Sequence, residues 1–448
     1  MKVLFSNPPW WEGTMRYING QGQECTGYTA GVRAGSRWPF TMHIATPPDQ
    51  YSFGGYLPYP FFMGYATTYV AKATGAEVTF RDSIALRESY ERYLGYIMKE
   101  QFDYIVIESA TPSWDHDKAI LQAIPRFSPK TRVIVTGPIT SLGDKVLNEA
   151  PVYAAAKGEY EKGVTRILNG ETGVIDHDLL TLEEMNAAPF PYFDDLHAHR
   201  YFDANPKGTQ APQAQVWSSR GCPYKCIFCV WPATMTGNDP LGTGKRSVRH
   251  YSPDYMEAFL TELVAKYGYR TIYFDDDTFN LGDKHVERMC KIMRKLDVPW
   301  SAMCRADTSR MDLWKEMKDS GCFGVKLGFE SGNQTVVDTI VNKHLDLEYA
   351  RQAVQECKRV GLTVHGTFTY GLPGETPEQM QDTKRYLKSL NLDTCQESGT
   401  AEIEGTPLHA LREKESLAKY TGATMDHDYV READGRKKLE KLQASLQA

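Results

Sequence analysis

The chain has 448 residues, of which 41% are hydrophobic and 24% are charged, and its formal net charge is −6. This length predicts two or three domains of ordinary globular composition. The acidic balance argues against nucleic acid as a partner, and the lack of a long apolar run argues against a membrane span. Nine cysteines, three of them clustered, do not form the pattern of a secreted disulfide framework, so we expect a cytoplasmic protein.

Residues 1–165 alternate short apolar runs with helical patterns, which predicts βαβ units around a parallel sheet. The continuous apolar runs in the middle of this region indicate strands that are buried on both faces. The loops that follow such strands meet at the carboxyl edge of the sheet, where open α/β folds bind ligands. The predicted strands are Lys2–Ser6, Glu77–Phe80, Tyr104–Glu108, Arg132–Thr136 and Val152–Ala155.

Residues 166–214 are polar and rich in turn-forming residues, which predicts a linker between domains. A second βα series is expected at residues 215–408, and its first helix begins with Ser252 as cap and Pro253 as first helical residue. Residues 409–448 are expected to form a helical extension. The predicted strands of the second series are Gln215–Ser218, Thr271–Phe274, Trp300–Cys304, Gly324–Gly328, Thr363–Thr369 and Thr394–Glu397.

Cys222, Cys226 and Cys229 form a C-x3-C-x2-C cluster just after the first strand of the second series. Three thiolates so close together can hold an iron–sulfur cluster that normally has four cysteine ligands, which leaves one iron open to another ligand. The alternatives are a chance grouping or a partial zinc site. A zinc site requires a fourth ligand nearby, and no second C-x2-C or H-x3-H follows. The spacing therefore favours the cluster.

This spacing resembles the radical S-adenosylmethionine (SAM) superfamily. The resemblance extends to the strand-end strings Phe-Asp-Asp-Asp-Thr-Phe, Gly-Phe-Glu-Ser-Gly-Asn and Gly-Leu-Pro-Gly-Glu-Thr. The first two strings, with Cys-Ile-Phe-Cys-Val-Trp-Pro, most resemble the hopanoid-biosynthesis-associated radical SAM proteins with a cobalamin-type domain. It implies a partial (β/α)6 barrel and a [4Fe–4S] cluster held by the three cysteines. In this family the open iron binds the amino and carboxylate groups of SAM, and one electron then releases a 5′-deoxyadenosyl radical.

The same resemblance implies the residues that contact SAM. Phe228 lies either against the adenine or in the core, and Asp276 or Asp277 replaces the usual Gly-Gly-Glu that binds the SAM amino group. Arg305 pairs with the SAM carboxylate or with a substrate anion. Glu330 suits a ribose hydroxyl or an ammonium group. The strand-end strings also contribute Ser331, Phe368 and Gly374.

The N-terminal region resembles the Rossmann-like cobalamin-binding domain that precedes the barrel in one group of these enzymes. The likeness rests on Asn-Pro-Pro after the first strand, Pro-Tyr-Pro before the first helix, Gly-Pro after the fourth strand, and Gly-Glu-x-Glu. The D-x-H-x2-G motif is absent, so no histidine is assigned to cobalt, and His116 is interpreted as a surface polar residue. The implied cobalamin contacts are Pro8, Trp10, Thr111, Pro112, Gly137, Pro138, Gly158 and Glu159.

These resemblances imply cobalamin-dependent C-methylation of a small molecule, with electrons from a low-potential donor of the flavodoxin or ferredoxin type. The alternative is a radical SAM isomerase, ring-contraction enzyme, dehydratase or epimerase of a sugar or other polar metabolite, with or without cobalamin. A third hypothesis is a non-catalytic protein that binds a cluster or a corrinoid. The sequence does not identify the substrate.

Overall fold

The computed structural model describes residues 1–18, 24–30, 42–45, 56–110, 113–230, 234–235, 246–400, 403 and 405–413. The chain divides into two compact units. Unit 1 comprises Met1–Ala204, Gln210–Cys222 and Val230–Tyr273, and unit 2 comprises Asn205–Thr209, Pro223–Cys229 and Phe274–Ala448. None of the described helices is both long and apolar enough to cross a membrane.

Unit 1 is built around a six-stranded parallel sheet. The strands of unit 1, which belong to several sheets, are β1 (Lys2–Asn7), β2 (Trp11–Ile18), β3 (Glu24–Ala30), β4 (Met42–Ala45), β5 (Tyr56–Leu57), β6 (Glu77–Asp82), β7 (Tyr104–Glu108), β8 (Arg132–Thr136), β9 (Ala154–Ala156), β10 (Gly173–Ile175), β11 (Phe202–Asp203), β12 (Gln213–Val216), β13 (Ser219–Arg220) and β14 (Arg249–His250). Its helices are α1 (Phe61–Thr74), α2 (Tyr90–Glu100), α3 (Trp114–Phe127), α4 (Asp144–Glu149), α5 (Glu161–Leu168), α6 (Leu182–Ala187) and α7 (Pro253–Tyr267).

The parallel sheet has the strand order β10-β9-β8-β7-β1-β6. The chain passes from β1 to β6 on one side and then crosses to β7 on the other side, so the direction of winding reverses between β1 and β7. Open α/β sheets bind ligands at such a switch point, outside the carboxyl ends of the strands. Leu4, Ile105 and Ile134 in the middle of these strands are completely buried, as expected for strands covered on both faces.

The segment 166–214, which the sequence predicts as a linker, contains regular structure. Strand β10 pairs in parallel with β9 and extends the sheet of unit 1. Helix α6 begins with a capping box in which Thr181 and Glu184 satisfy each other's backbone N–H groups. These elements have three and six residues, too few for a hydrophobic period to be visible in the sequence.

Unit 2 contains four parallel strands in the order β16 (Trp300–Cys304), β17 (Cys322–Glu330), β18 (Thr363–Tyr370) and β19 (Thr394–Gly399). The strand β15 (Thr271–Phe274) precedes them in the chain. The α/β fold class and the helix cap at Ser252 are confirmed, and the predicted helix around residues 439–446 lies outside the described residues. The helices of unit 2 are α8 (Asp283–Leu296), α9 (Leu313–Asp319), α10 (Leu347–Arg359), α11 (Pro377–Leu390) and α12 (Pro407–Glu413).

Side chains of β17 and β18 alternate between two faces of the sheet. On one face the Thr369 hydroxyl donates to the Glu330 carboxylate over 3.2 Å. On the other face Phe368 stacks on Phe329, with ring centroids 5.3 Å apart, and Phe329 contacts Tyr386 of α11. The first face therefore carries polar chemistry, and the second forms the core beneath the helix.

Gly332, just after β17, allows the backbone of α11 to approach closely. A Cβ at this position would lie 2.7 Å from the Thr383 Cα and 2.4 Å from the Tyr386 Cβ. We expect Gly332→Ala to lower the free energy of unfolding by about 1–3 kcal/mol, because the helix must move away. Urea unfolding followed by circular dichroism measures this change.

The matched control is Gly95→Ala in the interior of α2, where a Cβ would meet no atom within 4 Å. This substitution should raise the free energy of unfolding by about 0.5–1 kcal/mol, because alanine has the higher helix propensity. Equal stability of the Gly332→Ala variant and the natural protein would contradict the packing described for α11.

Candidate functional site

A tight turn in unit 2 carries the second and third cysteines of the motif. The Cys229 N–H donates to the Cys226 carbonyl oxygen over 3.1 Å. The Ile227 N–H donates to the Val341 carbonyl, and the Ile227 carbonyl accepts from the Leu408 N–H, each over 2.9 Å. Main-chain hydrogen bonds on both sides of Ile227 therefore fix the turn.

Cys222 lies in unit 1 and directly follows Gly221, which has a φ of +95°. A Cβ on Gly221 would lie 2.4 Å from the Ser247 carbonyl oxygen, so only glycine fits where the chain bends before the cysteine. None of the three motif cysteines forms a disulfide among the described residues. This donor set fits an iron–sulfur cluster that keeps one iron without a protein ligand.

Phe228 lies between the last two cysteines and is partly buried. Together with Cys226 it packs against a small apolar cluster of Val336, Val341 and Leu372. This contact supports the core-packing role among the two that the sequence leaves open. Contact of Phe228 with the adenine of SAM stays a prediction.

Arg305 is buried, and its guanidinium makes several contacts within unit 2. Its Nε and Nη2 donate to the Asp307 carboxylate over 2.5 and 3.0 Å, and Nη2 also donates to the Lys343 carbonyl over 2.7 Å. The guanidinium carbon lies 3.7 Å from the ring centroid of Tyr224, which precedes Cys226 by two residues. Arg305 thus connects the cysteine loop to the segment around Lys343. Its predicted bond to the SAM carboxylate or a substrate anion stays a prediction.

Lys343 is a second buried cation in this region, and no motif or strand end in the sequence marks it. Its Nζ donates to Glu330 Oε1 over 2.8 Å. Burial and the charge of Arg305 lower the pKa of Lys343, but the carboxylate of Glu330 and the thiolate form of Cys226 outweigh them and raise it. A protonated lysine near Cys226 fits a cofactor that presents a carboxylate at the cluster.

Glu330, predicted as a strand-end ligand, ends β17 with a φ of +67°, which is uncommon for a residue with a side chain. Gly328 makes room for its ion pair, since a Cβ there would lie 2.6 Å from Glu330 Oε1 and 2.9 Å from Lys343 Nζ. Such backbone strain is concentrated at functional sites. The structure therefore brings Arg305, Glu330 and Lys343 together.

Three consecutive aspartates follow β15 and differ in burial. Asp276 is completely buried, Asp275 nearly so, and Asp277 is half-buried. The Thr278 hydroxyl donates to the Asp277 carbonyl over 2.7 Å, which tightens the loop. The assignment of Asp276 or Asp277 to the SAM amino group stays a prediction.

The remaining predicted SAM contacts have other partners. The Ser331 hydroxyl lies 2.9 Å from the Thr383 hydroxyl of α11, and Phe368 stacks on Phe329 on the sheet face opposite Glu330. The structure therefore does not bring Phe368 to the polar face. Gly374 has a φ of +83° in the turn after β18, a backbone conformation that favours glycine.

Glu375, which follows Gly374, is buried in the same turn. Its Oε2 accepts a hydrogen bond from the Leu372 N–H over 3.2 Å, and its Oε1 has no partner among the described residues. Burial raises the pKa of Glu375 to about 7. The side chain therefore exchanges its proton near neutral pH.

The switch point of the unit 1 sheet carries the first candidate cobalamin contacts. Pro8 is buried, and Trp10 stacks on His116 with ring centroids 5.8 Å apart. His116 is half-buried, and its Nε2 lies 3.2 Å from the Tyr90 hydroxyl and 3.1 Å from the Pro9 carbonyl oxygen. His116 is therefore partly exposed and packs on the loop after β1, and its interpretation as a surface polar residue stays a prediction. Two further candidates lie outside the described residues: Thr111 and Pro112.

The glycines of this edge make room for the protein's own atoms. A Cβ on Gly137 would lie 2.5 Å from the Ser109 carbonyl oxygen, and one on Gly158 would lie 2.4 Å from the His177 ring. Both have φ values that favour glycine, +87° and +69°. Pro138 is buried in the turn that follows Gly137. Their contact with a ligand stays a prediction.

Glu159 belongs to a buried ion network within unit 1. Arg249 donates to its carboxylate, and Arg220 Nη1 lies 3.4 Å from Glu159 Oε2 and 2.7 Å from Glu161 Oε1. The Arg220 guanidinium also lies 4.4 Å from the ring centroid of Tyr65. Glu159 therefore serves the protein's own structure, and Arg220 anchors the segment that leads into Cys222.

Polar atoms at the carboxyl edge of the sheet fit a ligand with many amide groups, as cobalamin has. Among the described residues, buried oxygens without a hydrogen-bond partner include Glu108 Oε1, Ser141 Oγ and Glu161 Oε2. Native proteins leave few such groups unsatisfied, and each requires an explanation. Glu108 ends β7, Ser141 follows β8 and Glu161 begins α5, at the edge where an α/β sheet binds its ligand.

Comparison with known protein families matches residues 218–387 to the radical SAM superfamily. The matched region begins before the cysteine motif and ends in α11. The chain therefore carries a radical SAM domain, which implies a [4Fe–4S] cluster and SAM as cofactors.

Several methyltransferases resemble this chain. An uncharacterised methyltransferase of Pyrococcus horikoshii is 26% identical over 354 residues, which cover 74% of each chain. The cytidylyl-2-hydroxyethylphosphonate methyltransferase of Streptomyces wedmorensis is 28% identical over 260 residues, 54% of this chain and 46% of that protein. The radical SAM methyltransferase TsrM of Kitasatospora setae, solved with cobalamin and a [4Fe–4S] cluster, superposes with a TM-score of 0.65 at 14% identity. The superposition covers 93% of this chain and 78% of TsrM, and it shows a shared fold.

The Arg220 network has a direct consequence for stability. We expect Arg220→Met to lower the free energy of unfolding by about 3–5 kcal/mol, because it leaves Glu161 buried without its cation. Urea unfolding measures the change. The matched control is Arg359→Met, which removes an exposed pair with Glu356 and should cost less than about 1 kcal/mol. Similar effects of the two substitutions would show that the buried network is not structural.

Glu375 makes stability depend on pH. The pKa of Glu375 is about 7 in the folded protein and 4.5 ordinarily, so between these pH values the native state keeps a proton that the unfolded state releases. The stability that this proton contributes is complete below pH 4.5, is lost as pH rises to about 7 and stays lost above it. We expect Glu375→Gln to gain stability relative to the natural protein between these pH values, by at most about 3 kcal/mol.

Thermal unfolding at a series of pH values tests this expectation for Glu375→Gln. The control is Glu378→Gln, which removes the same charge from an exposed side chain three residues later. A stability difference for Glu375→Gln that does not change with pH would contradict the raised pKa.

Proposed function

We propose that this protein, which carries a radical SAM domain, is a cobalamin-dependent methyltransferase that acts on a carbon atom of a small molecule. The observation that carries the proposal is the presence in one chain of the three-cysteine motif and of a parallel sheet with a switch point between β1 and β7. The methyltransferase relatives and the cobalamin-containing structure of the same fold support it.

The residues described above have distinct parts in this activity. Cys222, Cys226 and Cys229 would hold the cluster, and the carboxyl edge of the unit 1 sheet would hold cobalamin. When bound, these groups and SAM supply a 5′-deoxyadenosyl radical and a transferable methyl group. The protein's own contribution is orientation, because radical chemistry requires the reacting atoms to be placed in line before the reaction.

The side chains of unit 2 supply the electrostatic part of this orientation. The carboxylate of Glu330 holds the Lys343 ammonium and raises its pKa, so Lys343 would provide a positive charge for the SAM carboxylate. Arg305 holds the backbone of Lys343 and the ring of Tyr224. We infer that Arg305 positions the site, while Lys343 and Glu330 contact SAM.

We infer a small-molecule substrate and a low-potential electron donor of the flavodoxin or ferredoxin type. The acidic net charge of −6 supports a substrate other than nucleic acid. One reducing equivalent must reach the cluster for each radical formed, and the described residues include no second cysteine motif with ligand spacing that could store it.

Anaerobic reconstitution tests the proposal. Protein supplied with iron, sulfide, cobalamin, SAM and reduced flavodoxin should form both S-adenosylhomocysteine and 5′-deoxyadenosine, because methyl donation yields the first product and radical formation the second. Liquid chromatography with mass spectrometry measures both. Formation of 5′-deoxyadenosine alone would favour the isomerase, ring-contraction, dehydratase or epimerase alternative. Failure to form either product would contradict radical SAM activity.

The Cys226→Ala variant supplies the internal control. We expect it to lose the iron–sulfur absorption and all 5′-deoxyadenosine, because two thiolates do not retain the cluster. Cys395→Ala, which changes an exposed cysteine of β19, should keep both. Continued SAM cleavage by Cys226→Ala would refute the assignment of the cysteine motif.

A further inference from the structure

Glu108 is a buried acid at the switch point of the unit 1 sheet. It is the last residue of β7, the strand beside β1, and only 4% of its surface is exposed. Its Oε2 accepts a hydrogen bond from the Tyr160 hydroxyl over 2.7 Å. Its Oε1 is buried and has no partner among the described residues. One oxygen of this carboxyl group is therefore held by Tyr160, and the hydrogen-bonding capacity of the other is unused among the described residues.

The surroundings of Glu108 determine its protonation. Burial raises its pKa to about 7, the Tyr160 hydrogen bond opposes this rise, and the charge of Glu161 adds to it. Glu161 itself is paired with Arg220. Because the Tyr160 hydroxyl donates to Oε2, the proton of the neutral acid resides on Oε1. Glu108 thus presents one O–H donor in neutral and mildly acidic solution.

The neighbouring polar groups do not compete for this donor. The Ser109 and Ser113 hydroxyls both donate to Asp117 Oδ2, over 2.6 and 2.7 Å. Gly137 packs directly against the acid, since a Cβ there would lie 2.8 Å from Glu108 Cγ. Tyr160 and Gly137 therefore hold the carboxyl group in one orientation.

We propose that Glu108 is a corrinoid-binding residue, and that its Oε1–H donates a hydrogen bond to an amide oxygen of cobalamin at the carboxyl edge of the sheet. This inference rests on the proposed function, because it requires cobalamin at this edge. The amide arms of the corrin ring are uncharged acceptors. A neutral donor satisfies them without the cost of an unpaired buried charge.

Equilibrium binding of hydroxocobalamin to the full-length protein tests the role of Glu108. We expect Glu108→Leu to weaken binding about tenfold, the usual effect of losing one buried hydrogen bond. Glu108→Gln keeps an N–H donor and should bind as the natural protein does at low pH. Binding is measured by ultrafiltration and by the absorption spectrum of the bound corrinoid.

The pH profile separates this role from a merely structural one. Affinity of the natural protein should fall as pH rises through about 7, where Glu108 loses its proton. Glu108→Gln should show no such fall. Tyr160→Phe should move the fall to higher pH, because the hydrogen bond from Tyr160 lowers the pKa of Glu108.

The outcomes distinguish this inference from the proposed function. If the natural protein binds cobalamin equally well at every pH and the Leu variant matches it, the role of Glu108 is wrong while the function stands. If the natural protein binds no cobalamin, the proposed function fails. Circular dichroism shows whether Glu108→Leu is folded. If it is misfolded, the pH profiles of the natural protein and Glu108→Gln test the role of Glu108, and identical profiles would contradict it.

Discussion

The buried guanidinium of Arg220 joins two parts of unit 1 that are far apart in the chain. It pairs with Glu161 at the start of α5 and lies close to Glu159, which also binds Arg249 of β14. Since Arg220 precedes Cys222 by two residues, the strand that leads into the cysteine motif is held by carboxylates of the Rossmann-like sheet. A buried pair of this kind costs desolvation, so its main effect is to specify one arrangement.

Unit 2 also contains buried cations that are paired with carboxylates, near Cys226. Two cations, Arg305 and Lys343, are buried there, and each has a carboxylate partner. The partner of Arg305 is its near neighbour Asp307, whereas that of Lys343 comes from the end of another strand. The guanidinium of Arg305 is thereby held by the protein's own groups, and under the proposed function the Lys343–Glu330 pair would exchange partners with the two charges of SAM.

The sequence predicts the strands well where the apolar run is continuous and bounded by polar residues. Tyr104–Glu108, Arg132–Thr136 and Trp300–Cys304 have the predicted bounds. The three-residue strand β10 is missed, because so short a run has no period. Of the candidate site, the cysteines and Glu330 follow from motif and strand end. Lys343 does not, because it follows no strand and acquires its role only through folding.

The anchoring of the cysteine turn has a consequence for the far end of the chain. Ile227 is buried, and main-chain atoms of Val341 and Leu408 hold its N–H and carbonyl groups. Loss of the segment that contains Leu408, by proteolysis or a premature stop codon, would release one of these two attachments. An enzyme shortened in this way would retain every cysteine of the motif and yet hold iron poorly.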